Sequence, residues 1–286
     1  MRVVLMTANG QPASMPSSPS VKDFLRSFSC VIITGGSSGI GRALASRIHE
    51  HAPELPVFNL SRTAPTETGN RHNLAHLACD LTQAPALEQV VLRLKGLMPG
   101  SGRMLLVNNS GFGSYGEFPE PGVARNLEMI DLNVRAVVHL TGLLWPELRA
   151  RGGLVMNIAS LAGYQPTPLM TTYAATKAFV LNWSVALDAE ARPHGVRCIA
   201  VCPGPVSTNF SRAAGFSAPT GLGGQSAEAC ADEALAAAAD GAAERVTGLR
   251  NRLLSVISAR LPKSWAAAVG LRMIRRLRLD RLLRRD

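Results

Sequence analysis

The chain has 286 residues, of which 47% are apolar and 17% charged, enough apolar surface for a buried core and too little charge for a disordered chain. Aromatic residues make up 5%, which argues against a nucleic-acid stacking surface, and no run of about 18 residues is both apolar and free of charge, which argues against a membrane-spanning helix. The net charge of +10 is concentrated at one end: Arg272–Asp286 holds seven arginines against two aspartates, half of the total excess, so the body is only mildly basic.

Residues 1–27 read as a flexible leader. Met1–Asn9 is too short for a secretory signal, and residues 9–20 are rich in Pro, Ser and Gly. From Cys30 onward, short apolar runs alternate with longer helical stretches. The runs are Cys30–Thr34, Pro56–Leu60, Leu74–Cys79, Met104–Asn108, Leu154–Ala159 and Val196–Cys202. They are continuous rather than alternating, as strands covered on both faces are. Helices are expected over Gly39–Glu50, Pro85–Leu97, Gly122–Arg149 and Thr171–Arg192. This rhythm predicts an α/β fold: a single doubly wound Rossmann-type domain over 28–250, with a parallel sheet of six to seven strands and helices on both faces. Ligands of such a sheet bind beyond the carboxyl ends of the strands. After Cys202 the rhythm breaks. Pro203–Gly224 holds three prolines and five glycines, so 203–226 reads as a long loop over the substrate. Ala227–Ala239 reads as a helix and Arg245–Thr247 as an edge strand. Residues 251–286 form a basic, amphipathic helical extension.

The five cysteines, Cys30, Cys79, Cys198, Cys202 and Cys230, contain no CxxC pair and lie mostly in apolar runs. They read as buried reduced thiols, which points to the cytoplasm, and no metal site is expected.

The first strand ends in Thr34-Gly35-Gly36-Ser37-Ser38-Gly39-Ile40-Gly41 and runs straight into a helix. Glycines there let the backbone approach a pyrophosphate, and the helix amino terminus offers N–H groups and a positive dipole to it. Alone, such a turn is only a tight turn; its place between strand and helix gives it weight. The spacing Thr-Gly-x-x-x-Gly-x-Gly resembles the fingerprint of the short-chain dehydrogenase/reductase family, over about Cys30 to Phe210. Further motifs follow in the family's order. The resemblance implies cofactor contacts from Gly35, Ser37, Ser38, Gly39, Ile40 and Gly41.

The second strand ends in Ser61-Arg62 and lacks the acid that serves the ribose hydroxyls in NAD-preferring folds. Arg62 suits the 2′-phosphate of NADP instead, with help from Arg42, so NADPH is expected over NADH; the alternative is a surface arginine. Asp80, with Leu81, matches the family position that holds the adenine, or it is the N-cap of the helix that follows. Asn109-Ser110-Gly111 resembles the family's turn beside the adenosine. Pro203, Gly204, Val206 and Thr208 resemble the segment beside the nicotinamide and diphosphate.

Ser160 closes the fifth strand, and Tyr173-Ala174-Ala175-Thr176-Lys177 begins thirteen residues later. Tyr and Lys four apart share a helix face. A tyrosine that titrates near pH 10 needs a neighbouring positive charge to exchange protons at neutral pH. The resemblance implies that Tyr173 is the acid/base, Ser160 steadies the carbonyl oxygen, Lys177 lowers the Tyr173 pKa and holds the ribose, and Asn133 anchors a water. Tyr164 and Tyr115 lie on the expected ligand side. His139 reads as core packing.

These motifs imply an NADP-dependent carbonyl reductase or alcohol dehydrogenase acting on a ketone, aldehyde or 3-oxoacyl compound of apolar character. Family members are often dimers or tetramers, so a homodimer or homotetramer is expected. The alternative is a non-catalytic NADP-binding sensor or membrane-associated scaffold. In Ser264–Leu277, the residues Val269, Met273, Ile274 and Leu277 form one stripe opposite Arg272, Arg275 and Arg276. This segment, with the rest of 264–286, reads either as peripheral membrane contact or as a helix packed on the domain or a partner. Specific nucleic-acid binding is not expected.

Overall fold

A computed structural model describes residues 19–65, 73–208 and 224–276. Its centre is a seven-stranded sheet in the order β3-β2-β1-β4-β5-β6-β9, in which every neighbouring pair is parallel. The strands are β1 (Phe28–Thr34), β2 (Val57–Ser61), β3 (Leu74–Ala78), β4 (Arg103–Asn108), β5 (Gly153–Ile158), β6 (Val196–Cys202) and β9 (Glu244–Val246). A two-residue ladder of β7 (Val206–Ser207) and β8 (Gln225–Ser226) lies outside it.

Successive side chains of a strand face opposite sides. Val31 and Ile33 of β1, with Leu105, Val107, Leu154, Met156, Ile199 and Val201, pack under α2 (Gly39–His51) and the helix Ala227–Ala239. Cys30 and Ile32, with Met104, Leu106, Val155 and Cys198, pack under α3 (Ala84–Leu97) and α5 (Ala136–Arg151). Both faces are covered, which is why the runs are continuously apolar. Order reverses between β1 and β4, and that switch point opens the crevice in which such sheets bind ligands.

Two expected elements differ. Within the leader, Val21–Arg26 is a helix (α1), capped by Ser20 and anchored by buried Phe24 and Leu25. Phe24 meets Phe28 edge-on, with centroids 5.0 Å apart. The single helix expected over Gly122–Arg149 is α4 (Val123–Ile130) and α5 joined by one π-helical turn, Asp131–Arg135. His139 is not core packing either: it is half-buried beside Glu88, 3.5 Å away. Beyond α6 (Thr171–Ala191) and α7 (Ala227–Ala239), the chain ends its described part in α8 (Leu249–Arg260) and α9 (Lys263–Arg276). Residues 1–18, 209–223 and 277–286, which include most of the expected substrate loop and the arginine-rich end, lie outside the described residues, as do the side chains of Met273, Ile274 and Arg276.

Candidate active site

The glycine turn is held from three strands. Thr34 Oγ1 accepts from the backbone N–H groups of Asn109 and Ser110, each at 2.9 Å. Asn109 Nδ2 donates to the carbonyls of Thr34 (2.9 Å) and Gly35 (3.2 Å). Asn59 Oδ1, buried in β2, accepts from Gly36 N–H at 2.8 Å. Asn109 is thus a brace for the turn. Gly41 lies so near the turn that a Cβ there would stand 2.3 Å from Gly35 O, so only glycine lets helix and turn approach. Ser38 is the N-cap of α2 but makes no side-chain cap bond, and the first turn of the helix carries no acid. Its N–H groups and dipole are therefore turned to whatever occupies the crevice. Thr208 stands over this end: a Cβ on Gly39 would meet its Cγ2 at 3.4 Å. A glycine cradle beside an uncapped helix terminus fits a dinucleotide diphosphate.

At the end of β2, Arg62 is exposed and Ser61 Oγ donates to Thr63 O at 2.8 Å. Asp80 is not a helix N-cap; that position is Gln83. Asp80 Oδ1 instead accepts from Thr82 N–H (2.9 Å) and Thr82 Oγ1 (2.7 Å), tying a turn. Burial works against its charge, but those bonds and the charge of Arg62 hold its carboxyl below the usual range. Leu81 is buried among α3 and α5, so only its backbone is free to meet a ligand. Val206 packs on the core beside α7.

The structure brings Ser160, Tyr173, Lys177 and Asn133 together at the carboxyl end of β5, beside Gly111. Ser160 stands beside the Tyr173 hydroxyl and favours its ionised form; Ser160 Oγ accepts from Ala162 N–H at 3.1 Å and donates to Pro203 O at 3.5 Å. Lys177 Nζ donates to Ile158 O at 2.7 Å and sits 5.9 Å from the centre of the Tyr173 ring. Asn133, buried in the π turn, binds both backbone groups of Phe112 and donates to Thr176 Oγ1 at 3.1 Å. A Cβ on Gly111 would come to 2.9 Å from Asn133 Oδ1 and 3.4 Å from Lys177 Nζ, so this glycine leaves the space between strand end and lysine open.

The expected lowering of Tyr173 by Lys177 is overridden here. Burial pushes the Tyr173 hydroxyl up to about 12, opposed by Ser160. Burial likewise pushes Lys177 down to about 8. A phenol held neutral is a proton donor ready for use, while the ammonium is poised near working pH.

Sequence reasoning missed several residues that set this geometry. Asn108, Asn157, Thr141 and Ser184 form a buried chain across β4, β5, α5 and α6: Asn108 Nδ2 donates to Asn157 Oδ1 (2.8 Å) and Thr141 Oγ1 (3.0 Å), and Asn157 Nδ2 to Ser184 Oγ (2.8 Å). It locks α6, which carries Tyr173 and Lys177, to β5, the strand that leads to Ser160. The signal was the asparagine in two of the apolar runs, Asn108 in β4 and Asn157 in β5. Tyr164, expected on the ligand side, donates its hydroxyl to Glu244, joining the turn after Ser160 to the edge strand.

Comparison with known proteins agrees with this geometry. A family model for short chain dehydrogenases matches residues 29–216. The very-long-chain 3-oxoacyl-CoA reductase of Mus musculus is 31% identical over 194 residues, 63% of this chain and 60% of the relative, and that of Anas platyrhynchos is 30% identical over 198 residues, 63% and 61%. The chain spans about three fifths of the length of these relatives. Among solved structures, a short-chain dehydrogenase from Sphingobium yanoikuyae in complex with NADPH aligns with a TM-score of 0.68 at 28% identity, covering 81% of this chain and 93% of that one. A Burkholderia phymatum short chain dehydrogenase/reductase in complex with NAD shares the fold, with a TM-score of 0.68 at 20% identity over 80% and 93% of the two chains. Fingerprint turn, sheet order, buried Ser–Tyr–Lys cluster and family match converge, and the chain belongs to the short-chain dehydrogenase/reductase family of oxidoreductases.

Proposed function

We propose that this protein is an NADPH-dependent carbonyl reductase acting on ketones, aldehydes or 3-oxoacyl compounds of apolar character. The observation that carries the reading is the buried cluster of Ser160, Tyr173 and Lys177, with Lys177 Nζ 5.9 Å from the centre of the Tyr173 ring. The nicotinamide, when bound, supplies the hydride. Tyr173, held neutral by burial, gives its proton to the carbonyl oxygen. Ser160 donates a hydrogen bond to the same oxygen as charge develops on it. Lys177 keeps a positive charge beside the phenol, and Asn133 fixes the backbone of Phe112 that walls the pocket. Gly35, Ser37, Ser38, Gly39, Ile40, Gly41, Asn109, Ser110, Gly111 and Thr208 would hold the diphosphate and adenosine, and Pro203, Gly204 and Val206 would stand beside the nicotinamide.

NADPH is favoured because exposed Arg62 stands at the end of β2 where no acid repels a 2′-phosphate. The 3-oxoacyl class is supported by the names of the relatives. Exposed Val138 on α5, with Phe179 and Val185 on α6, supports pairing of two copies through these helices. Five free, buried cysteines support a reducing, cytoplasmic setting. The reading is tested by NADPH oxidation against a panel of ketones, aldehydes and 3-oxoacyl thioesters. Turnover is expected, and it is lost in Tyr173→Phe. Dinucleotide binding without turnover across the panel would instead make the chain a sensor.

A further inference from the structure

Helix α8 is amphipathic in the inverted sense, and α9 carries exposed apolar side chains beside it. On α8 the side chains turned toward the body are polar: Ser255 and Ser258 are buried, and Asn251 lies so close to Gly204 that a Cβ there would come within 2.3 Å of its Nδ2. The side chains turned outward are apolar. Leu249 is 80% exposed, Leu253 64%, and Val256 and Ile257 about half. Trp265, 68% exposed, and Val269 sit four apart on α9 and extend the same kind of surface. An ordinary surface helix buries such a stripe, and a contiguous exposed one marks an interaction site.

The charge is one-sided as well. Leu249–Arg276 contains seven lysines and arginines and no acid. Arg252 turns back to Glu233 at 2.7 Å, and Arg275 lies 3.9 Å from Glu117. Arg250, Arg260, Lys263 and Arg272 are exposed around the apolar residues. A second copy of the same face would bring like charge against like charge, which disfavours self-pairing here. An apolar surface with exposed tryptophan and a purely cationic rim fits the headgroup region of an anionic bilayer.

We propose that the outer face of α8 and α9 is an interfacial docking surface for anionic phospholipid membranes. Among the described residues no helix is long and apolar enough to cross a membrane, so the contact is peripheral. The inner side of the same pair touches the site: Asn251 backs Gly204, and Gly270 of α9 lies against Pro168, in the segment before α6. Docking therefore sets the edge of the substrate pocket beside the lipid surface.

The test is sedimentation of the full chain with vesicles of phosphatidylcholine alone and of phosphatidylcholine mixed with phosphatidylglycerol, across a salt series. Binding to the mixed vesicles is expected, with little to the neutral ones and loss at high salt. The triple variant Leu253→Ser, Ile257→Ser, Trp265→Ser is expected to bind at least about tenfold more weakly. Its turnover of a water-soluble ketone should match the parent, because these side chains point away from the pocket. Arg250→Glu with Arg260→Glu should remove the preference for anionic lipid. Equal sedimentation of parent and triple variant, or of the parent with both vesicle types, overturns the proposal. So does a parent that ignores vesicles but whose oligomer dissociates in the triple variant, which would make the face a subunit contact. Vesicle binding is read without turnover, so this outcome is independent of the catalytic reading.

Discussion

Asn133 grips both backbone polar groups of Phe112: its Oδ1 accepts from the N–H at 3.1 Å and its Nδ2 donates to the carbonyl at 2.9 Å. The side chain reaches that far because the helix widens to a π turn at Asp131–Arg135, a deviation often found at functional sites. Asn133→Leu leaves a buried N–H and a buried carbonyl without partners, at a cost of about 1–3 kcal/mol each before relaxation. Urea unfolding should show a loss of at least about 2 kcal/mol, together with a lower kcat. A variant as stable as the parent would mean that Phe112 finds other partners.

Tyr173→Phe keeps the ring and removes the proton. We expect kcat to fall by about 100-fold or more, the usual range for a positioned general acid, while the affinity for NADPH changes little. Isothermal titration of the dinucleotide beside single-turnover kinetics separates the two effects. A drop in affinity of the same size as the drop in rate would place Tyr173 in binding and not in proton transfer.

Lys177 ties catalysis to pH and stability together. Its folded-state pKa is about 8, below an ordinary lysine near 10.4. Between those values the unfolded chain binds the extra proton and the native chain does not, so the stability contributed by this group rises with pH across that window. The full effect is up to about 3 kcal/mol, since one pKa unit corresponds to about 1.4 kcal/mol. Below pH 8 the penalty of the buried ammonium is constant. Denaturation of the ligand-free chain from pH 7 to 11 should show this rise, and Lys177→Met should lack it. Identical slopes in the two proteins would contradict a depressed lysine.

Arg62→Ala should lower the preference for NADPH over NADH by about 10- to 100-fold, the worth of one or two charge-assisted bonds to a phosphate. The change should fall on the KM for NADPH with NADH hardly affected. Asp80 should respond as well, because Arg62 helps to hold its carboxylate charged. If the cofactor ratio is the same in both proteins, the 2′-phosphate is read elsewhere.

The strands were legible because helices cover both faces of the sheet, which leaves uninterrupted apolar runs such as Cys30–Ile33. Tyr173 and Lys177 were legible because a four-residue spacing places both on one helix face. The π turn was not: one extra residue per turn has no marker in a helical pattern. Helix α1 is six residues long, too short to be stable alone, so it exists through Phe24 and Leu25 docking on the core, a tertiary effect. The inverted face of α8 was hidden because periodicity reports where apolar residues cluster, and packing alone decides whether that stripe points in or out.

Asn59 is the strongest example of a residue that only the structure reveals. It lies in an apolar run, Val57-Phe58-Asn59-Leu60, wholly buried. Its Oδ1 takes the N–H of Gly36 at 2.8 Å while its Nδ2 donates to Ser61 Oγ at 3.0 Å. The side chain thus sets the curvature of the glycine turn from below, without any contact to solvent. Asn59→Leu would fill the space and leave Gly36 N–H unpaired, costing about 1–3 kcal/mol. Because the turn then relaxes, dinucleotide affinity should fall by about tenfold or more at temperatures well below unfolding. Calorimetric titration at 15 °C, with circular dichroism to verify the fold, measures this directly. Unchanged affinity in a destabilised but folded variant would show that the turn holds its shape through Thr34 and Asn109 alone.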